Sequence, residues 1–145
     1  MSEFKRVTPD FAVAAQLGTD DVARAAADGY KTILVNRPDN ETPGQPSANE
    51  IKSAAEAAGL HFKAIPFSGL PPPPAAVGQM AQLLDAAEGP VLAYCRTGKR
   101  SIMAWAMAQA LAGAHRPEEI IALAAKAGYD LEGARGALET LAPKA

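Results

Sequence analysis

The chain has 145 residues, 48% of them hydrophobic, with 14 Lys plus Arg against 16 Asp plus Glu. That length predicts one domain spanning residues 1–145, and a formal charge of −2 argues against a nucleic-acid or anionic-membrane partner, so any anion site must be local. A single cysteine excludes an intramolecular disulfide and a Cys-clustered metal centre, and no apolar run reaches the ~18 residues of a membrane span, which makes the cytoplasm the default location.

Residues 4–16 read as a short hairpin, with apolar Phe4, Val7, Phe11 and Val13 around the turn signal Thr8-Pro9-Asp10. Thr19 or Asp20 can cap a first helix whose face carries Val22, Ala25 and Ala26 and which Gly29 ends. Lys31 to Asn36 is a β-branched apolar run, a strand, followed by a polar Pro- and Gly-rich loop from Arg37 to Pro46. Ser47 with Glu50 is a capping box that opens a helix running to Gly59. Leu60 to Pro66 is the next strand.

Four prolines close the loop that follows, and Pro74 suits the first position of a helix striped with Val77, Met80, Leu84 and Ala87. Val91 to Cys95 has neither charge nor alternation, as expected of a central parallel strand covered on both faces. Ser101 to Ala112 is apolar nearly all round (Ile102, Met103, Trp105, Met107, Leu111), the pattern of a helix buried against a sheet. Pro117-Glu118-Glu119 opens another helix, and Asp130 caps a last one bearing Leu131, Leu138 and Leu141. The expected architecture is α/β: a small, mostly parallel sheet flanked by helices, with a core over residues 4–112 and a helical end-piece over 115–142. Ligands are expected beyond the carboxyl ends of the strands.

Cys95 stands there, at the head of Cys95-Arg96-Thr97-Gly98-Lys99-Arg100-Ser101. A strand-to-helix turn aims successive backbone N–H groups and a positive helix end at one point, and Gly98 relieves the backbone where it curls. An ordinary thiol is only about 3% ionised at pH 7, so a nucleophilic cysteine needs such a cradle. Arg96, Thr97, Gly98 and Lys99 are expected to line the anion, with Arg100 gripping two of its oxygens and Ser101 donating to the thiolate. Arg37, just after the Lys31–Asn36 strand, is placed to touch the same anion. Gly98-Lys99 resembles a P-loop, but the earlier glycine and the Ser or Thr after Lys99 are missing, which excludes nucleotide binding there. His61 and His115 are expected to be structural, and no cofactor or metal is called for.

Strand, Cys-Arg-Thr-Gly-Lys-Arg-Ser and helix together resemble the signature that cysteine-dependent phosphatases share in outline with rhodanese sulfurtransferases. Gln16, Ile33-Leu-Val-Asn-Arg-Pro-Asp-Asn-Glu41, Ala58-Gly-Leu60, Ile65-Pro66 and Leu92-Ala-Tyr-Cys-Arg96 extend the likeness. They are similar to the phosphatase-like domain of the beta-lactamase hydrolase-like protein family. The resemblance implies a dual-specificity-phosphatase-like fold, with Cys95 as nucleophile and Arg100 as anion clamp. Two departures stand out. The Cys-x4-Arg spacing is one residue shorter than in tyrosine and dual-specificity phosphatases and has the rhodanese length. Loop 67–74, where those phosphatases place an acidic proton donor, holds no carboxylate, which leaves Asp39 or Glu41 as substitutes. Tyr94 stands where phosphatases often carry His. Three functions follow: a phosphomonoesterase acting on a small anion or a phosphorylated residue through a cysteinyl-phosphate, a sulfurtransferase using a Cys95 persulfide, or a weakly catalytic phosphate- or sulfate-binding module. The oligomeric state is not legible.

Overall fold

The computed structural model describes residues 2–143. A hairpin of β1 (Lys5–Thr8) and β2 (Phe11–Ala14) leads into α1 (Thr19–Ala27), β3 (Thr32–Val35), α2 (Ala48–Ala57), β4 (His61–Ala64), α3 (Pro74–Ala86) and β5 (Val91–Tyr94). The helices α4 (Lys99–Ala112), α5 (Pro117–Lys126) and α6 (Arg135–Leu141) complete the chain. The five strands lie in the order β1-β2-β5-β3-β4. The sheet is mixed: β2–β5, β5–β3 and β3–β4 pair in parallel, while the β1–β2 hairpin makes the only antiparallel pairing among the described residues.

Alternation along the strands divides the core into two layers. Phe11, Val13, Leu34, Val91 and Ala93 face one cluster, filled by Val77 and Met80 of α3, Ile102 and Trp105 of α4, Ile120 of α5 and Leu138 of α6. Ala12, Ala14, Ile33, Val35, Leu92 and Tyr94 face the other, filled from α1 and α2 by Val22, Ala25, Ile51 and Ala55. Within the first layer the Trp105 ring stacks on Phe11 at 5.7 Å between centroids. Such contacts explain why a chain rich in alanine still closes around its sheet: a few large side chains fill the space between helices that approach closely.

Several boundaries differ from the sequence reading. Helix α1 is capped at Gly18, and Asp21 reaches back so that its Oδ2 accepts from the Gly18 N–H at 2.8 Å. Thr19 and Asp20 therefore lie inside the helix. Helix α4 starts at Lys99, two residues before Ser101, because Gly98 takes the left-handed conformation (φ +91°) that lets the chain turn directly from the strand. Leu111 is 42% exposed, so α4 is not buried all round. Asp130 does not cap α6: its Oδ1 accepts from the Glu132 N–H at 3.0 Å, at a 3₁₀ turn (Glu132–Ala134) that precedes α6 at Arg135. The Ser47–Glu50 capping box and Pro74 at the start of α3 are as read.

Candidate active site

Four parallel strands end at one edge, and short bonds knit those ends together. The Cys95 N–H donates to the Ala14 carbonyl at 3.4 Å, that of Asn36 to Tyr94 at 2.9 Å, that of Ile65 to Val35 at 2.9 Å and that of Phe67 to Asn36 at 3.2 Å. Asn36, fully buried, is the bracket at the centre. Its Nδ2 donates to the Ile65 carbonyl at 3.0 Å, and its Oδ1 accepts from the Ser101 hydroxyl at 2.8 Å. The bracket ties the end of β3 to the segment after β4 and to the first turn of α4. Ser101 is thus committed to Asn36, not to the thiolate as the sequence suggested.

Cys95 has no solvent exposure, yet it belongs to neither apolar cluster. Its Sγ accepts from the Gly98 N–H at 3.1 Å, at the positive end of the fourteen-residue helix α4. The sulfur is therefore beneath the loop rather than at an open mouth. A cleft of about 580 Å³ lies beside the loop, lined by Glu41, Ser68, Leu70, Arg96, Thr97, Lys99 and Arg100 but not by Cys95 itself. Arg96, Thr97 and Lys99 bring two cations and a hydroxyl-bearing side chain to that cleft.

The guanidinium of Arg100 is already occupied by a carboxylate. Its Nη2 and Nη1 donate to the two oxygens of Glu41 at 2.7 and 2.8 Å, and Nη1 also donates to the Phe67 carbonyl at 3.0 Å. Arg37, 4% exposed, donates to Glu41 from Nε at 2.9 Å, to the Gln16 Oε1 at 3.0 Å and to the Thr42 hydroxyl at 3.1 Å. Its charge is thereby buried with a full set of partners. The Arg100 guanidinium hydrogen-bonded to Glu41 holds that carboxyl down at about 2, with Arg37 adding to the effect and burial opposing it. Asp39, expected as a proton donor, is engaged elsewhere: its Oδ1 accepts from the Ala48 N–H at 2.8 Å, at the start of α2. Of the two acidic residues on this loop it is Glu41 that enters the site. Burial raises the Tyr94 hydroxyl well above its ordinary value.

The structure joins Arg37, Glu41 and Arg100 in one network, pairs Cys95 with the Gly98 N–H, and leaves Arg96, Thr97 and Lys99 at the cleft. Sequence reasoning did not assign roles to Gln16, Asn36 or Tyr129. The Tyr129 hydroxyl donates to the Thr97 carbonyl at 3.2 Å from beyond the end of α5. A polar Gln or Asn just past an apolar strand was the available signal for the first two. Nothing local marks Tyr129. Among the described residues no group of three or more His, Cys, Asp or Glu is placed to hold a metal ion, and no helix is long and apolar enough to cross a membrane.

Comparison with known proteins bears on the whole arrangement. Residues 3–112 match the family described as beta-lactamase hydrolase-like protein, phosphatase-like domain. A beta-lactamase hydrolase-like protein of Agrobacterium fabrum is 36% identical over 134 residues, 92% of this chain and 31% of the relative. The chain thus spans about a third of the length of the curated relatives it matches. A crystallised candidate phosphatase from Neisseria meningitidis z2491 superposes with a TM-score of 0.81 at 36% identity, covering 94% of this chain and 96% of that one. PTPMT1, solved with PI(5)P, shares the fold at 17% identity, with a TM-score of 0.73 over 95% of this chain and 93% of its own.

Proposed function

The chain belongs to the phosphatase-like domain family of beta-lactamase hydrolase-like proteins, and from that premise we propose that it is a cysteine-dependent phosphatase acting, as one domain over residues 1–145, on a small anionic phosphomonoester. Cys95 Sγ attacks phosphorus, forming an S–P bond as the P–O ester bond breaks and the leaving oxygen takes a proton from solvent. Water then attacks phosphorus, inorganic phosphate departs and the sulfur returns as thiolate. The Gly98 N–H and the positive end of α4 meet the sulfur that begins and ends this cycle. Arg100 and the amides of the loop share the charge that builds on the equatorial oxygens.

One observation carries the reading. The Arg100 fork grips both oxygens of the Glu41 carboxylate, the geometry that a phosphoryl group with two available oxygens would also meet. Glu41 is therefore the occupant that substrate displaces, and the same loss of Glu41 opens the way to Cys95. Glu41 is held at about 2 while paired with Arg100, and even its ordinary 4.5 leaves it ionised in the neutral range with no proton to give, so leaving groups that depart without acid assistance are the better substrates. Arg96, Thr97 and Lys99 contribute substrate contacts at the cleft, while Arg37 and Ser101 position their neighbours.

The sulfurtransferase reading rests on the Cys-x4-Arg spacing and on the absence of a carboxylate in loop 67–74. Hydrolysis of an aryl phosphate and cyanide-dependent sulfur transfer from thiosulfate, each followed by mass spectrometry of the intact protein, separate the two. A phosphoryl adduct on Cys95 supports the phosphatase, and one added sulfur supports its rival. Protection against heat by sulfate with neither adduct would leave only a binding module.

A further inference from the structure

We propose that Tyr129 is a positioning residue that locks the Thr97–Gly98 peptide in the one orientation that aims an amide hydrogen at Cys95. The inference rests on Cys95 being the nucleophile. In a trans peptide the carbonyl and the N–H point in opposite directions. The Thr97 carbonyl accepts from the Tyr129 hydroxyl at 3.2 Å on the outer side of the loop, and the N–H of the same peptide unit donates to the Cys95 Sγ at 3.1 Å on the inner side. Two contacts on opposite sides of one rigid plane fix its rotation.

The lock is needed because the residue after that plane is glycine. Gly98 sits at φ +91°, and turning the peptide over takes it toward φ of about −90°, a value that glycine also tolerates. The flipped peptide would withdraw the N–H from the sulfur and present the Thr97 carbonyl to it instead, repelling both a thiolate and a bound anion. A side chain at position 98 could not replace the tyrosine as a brake: a Cβ there would lie 2.1 Å from the Tyr129 Oη. The tyrosine hydroxyl occupies the space that the missing side chain leaves.

Tyr129 is itself held from two sides. Its N–H donates to the Ala124 carbonyl at 2.9 Å in the turn that ends α5, and the Lys5 Nζ of β1 lies 4.9 Å from its ring centroid. Burial, with the nearby Cys95 and Glu3 charges adding, raises the hydroxyl above its ordinary value, so it remains a donor through the neutral range. The residue lies outside the segment 3–112 matched by the family, so the helical end-piece contributes to the site through this one hydroxyl.

The test exploits Cys95 as the only cysteine of the chain. Iodoacetamide alkylation is timed at pH 6 and pH 9 in the wild type and in Tyr129→Phe, alongside kcat and KM for an aryl phosphate. The ratio of the pH 6 rate to the pH 9 rate reports the orientation of the peptide, and a purely structural role would not move it. Removing the hydroxyl is expected to lower that ratio about five-fold, the worth of one hydrogen bond, and to lower kcat by more than it raises KM. An unchanged ratio in a folded Tyr129→Phe protein overturns the lock. In the unmutated protein, the Gly98 amide proton should shift in NMR spectra as the thiol ionises, and a stationary resonance would overturn it equally. Wild-type hydrolysis by Cys95→Ser would instead sink the parent reading, whatever the alkylation ratio shows.

Discussion

Two loops meet at the site, and they are built on different principles. Loop 95–101 is held largely by the backbone: a strand delivers Cys95, Gly98 turns the chain and gives its own N–H to the sulfur, and α4 starts at once after it. Loop 37–46 is held by side chains, since Arg37 reaches Gln16, Glu41 and Thr42, and Glu41 crosses to Arg100 fifty-nine residues away in sequence. On the proposed reading the first loop supplies the chemistry, and Glu41 of the second occupies its arginine. A site assembled in this way is restrained by an internal anion until a better one arrives.

Substitutions can break that comparison at graded strength. Cys95→Ser is expected to abolish hydrolysis, by about 10⁴-fold or more, since an alcohol at this position is a far weaker nucleophile at neutral pH. Its circular-dichroism spectrum should be that of the wild type. Arg100→Lys should lower kcat/KM by about 10²-fold or more, because a point charge cannot replace a two-pronged grip on developing charge. Measured with an aryl phosphate, a loss below about three-fold would remove the arginine from the mechanism. Glu41→Gln acts in the opposite sense: with the competing carboxylate gone, phosphate should bind about ten-fold more tightly by calorimetry. Weaker binding in that variant would mean that Glu41 orients the arginine instead of competing for it.

Acid sharpens the same contrast more gently. The Glu41 carboxyl is depressed from its ordinary 4.5 to about 2 in the folded state, so its ion pairs stabilise the fold fully above pH 4.5 and are lost as the pH falls toward about 2. Any stability gap between wild type and Glu41→Gln should shrink across that window and stay constant from pH 5 to 8. A gap that instead varied near neutrality would contradict the assignment.

Much of the backbone-held loop was legible in the chain itself. Val91 to Cys95 read as a strand covered on both faces, and Gly98, three residues past Cys95, as the point where the backbone curls. The hairpin at residues 5–14 and the capping box at Ser47 were equally local. The side-chain-held loop was not legible in that way. Nothing near Glu41 says that its partner is Arg100, and Asp39 two residues earlier carries the same chemistry in sequence but bonds to the Ala48 N–H. Ser101 was misread for a related reason: its acceptor, Asn36, stands sixty-five residues away and becomes its neighbour only when β3 and β5 pair. Pairings of distant polar groups are set by topology, and no periodicity or spacing encodes them.

The burial of Cys95 also bears on oxidative damage. This chain has no second thiol, so a sulfenic acid formed on that sulfur would find no neighbour with which to close a reversible disulfide. Protection must then come from denying peroxide access, and the complete burial of Cys95 supplies it. On the proposed reading, the burial that a phosphate ester must relieve is thus also what keeps the resting sulfur reduced.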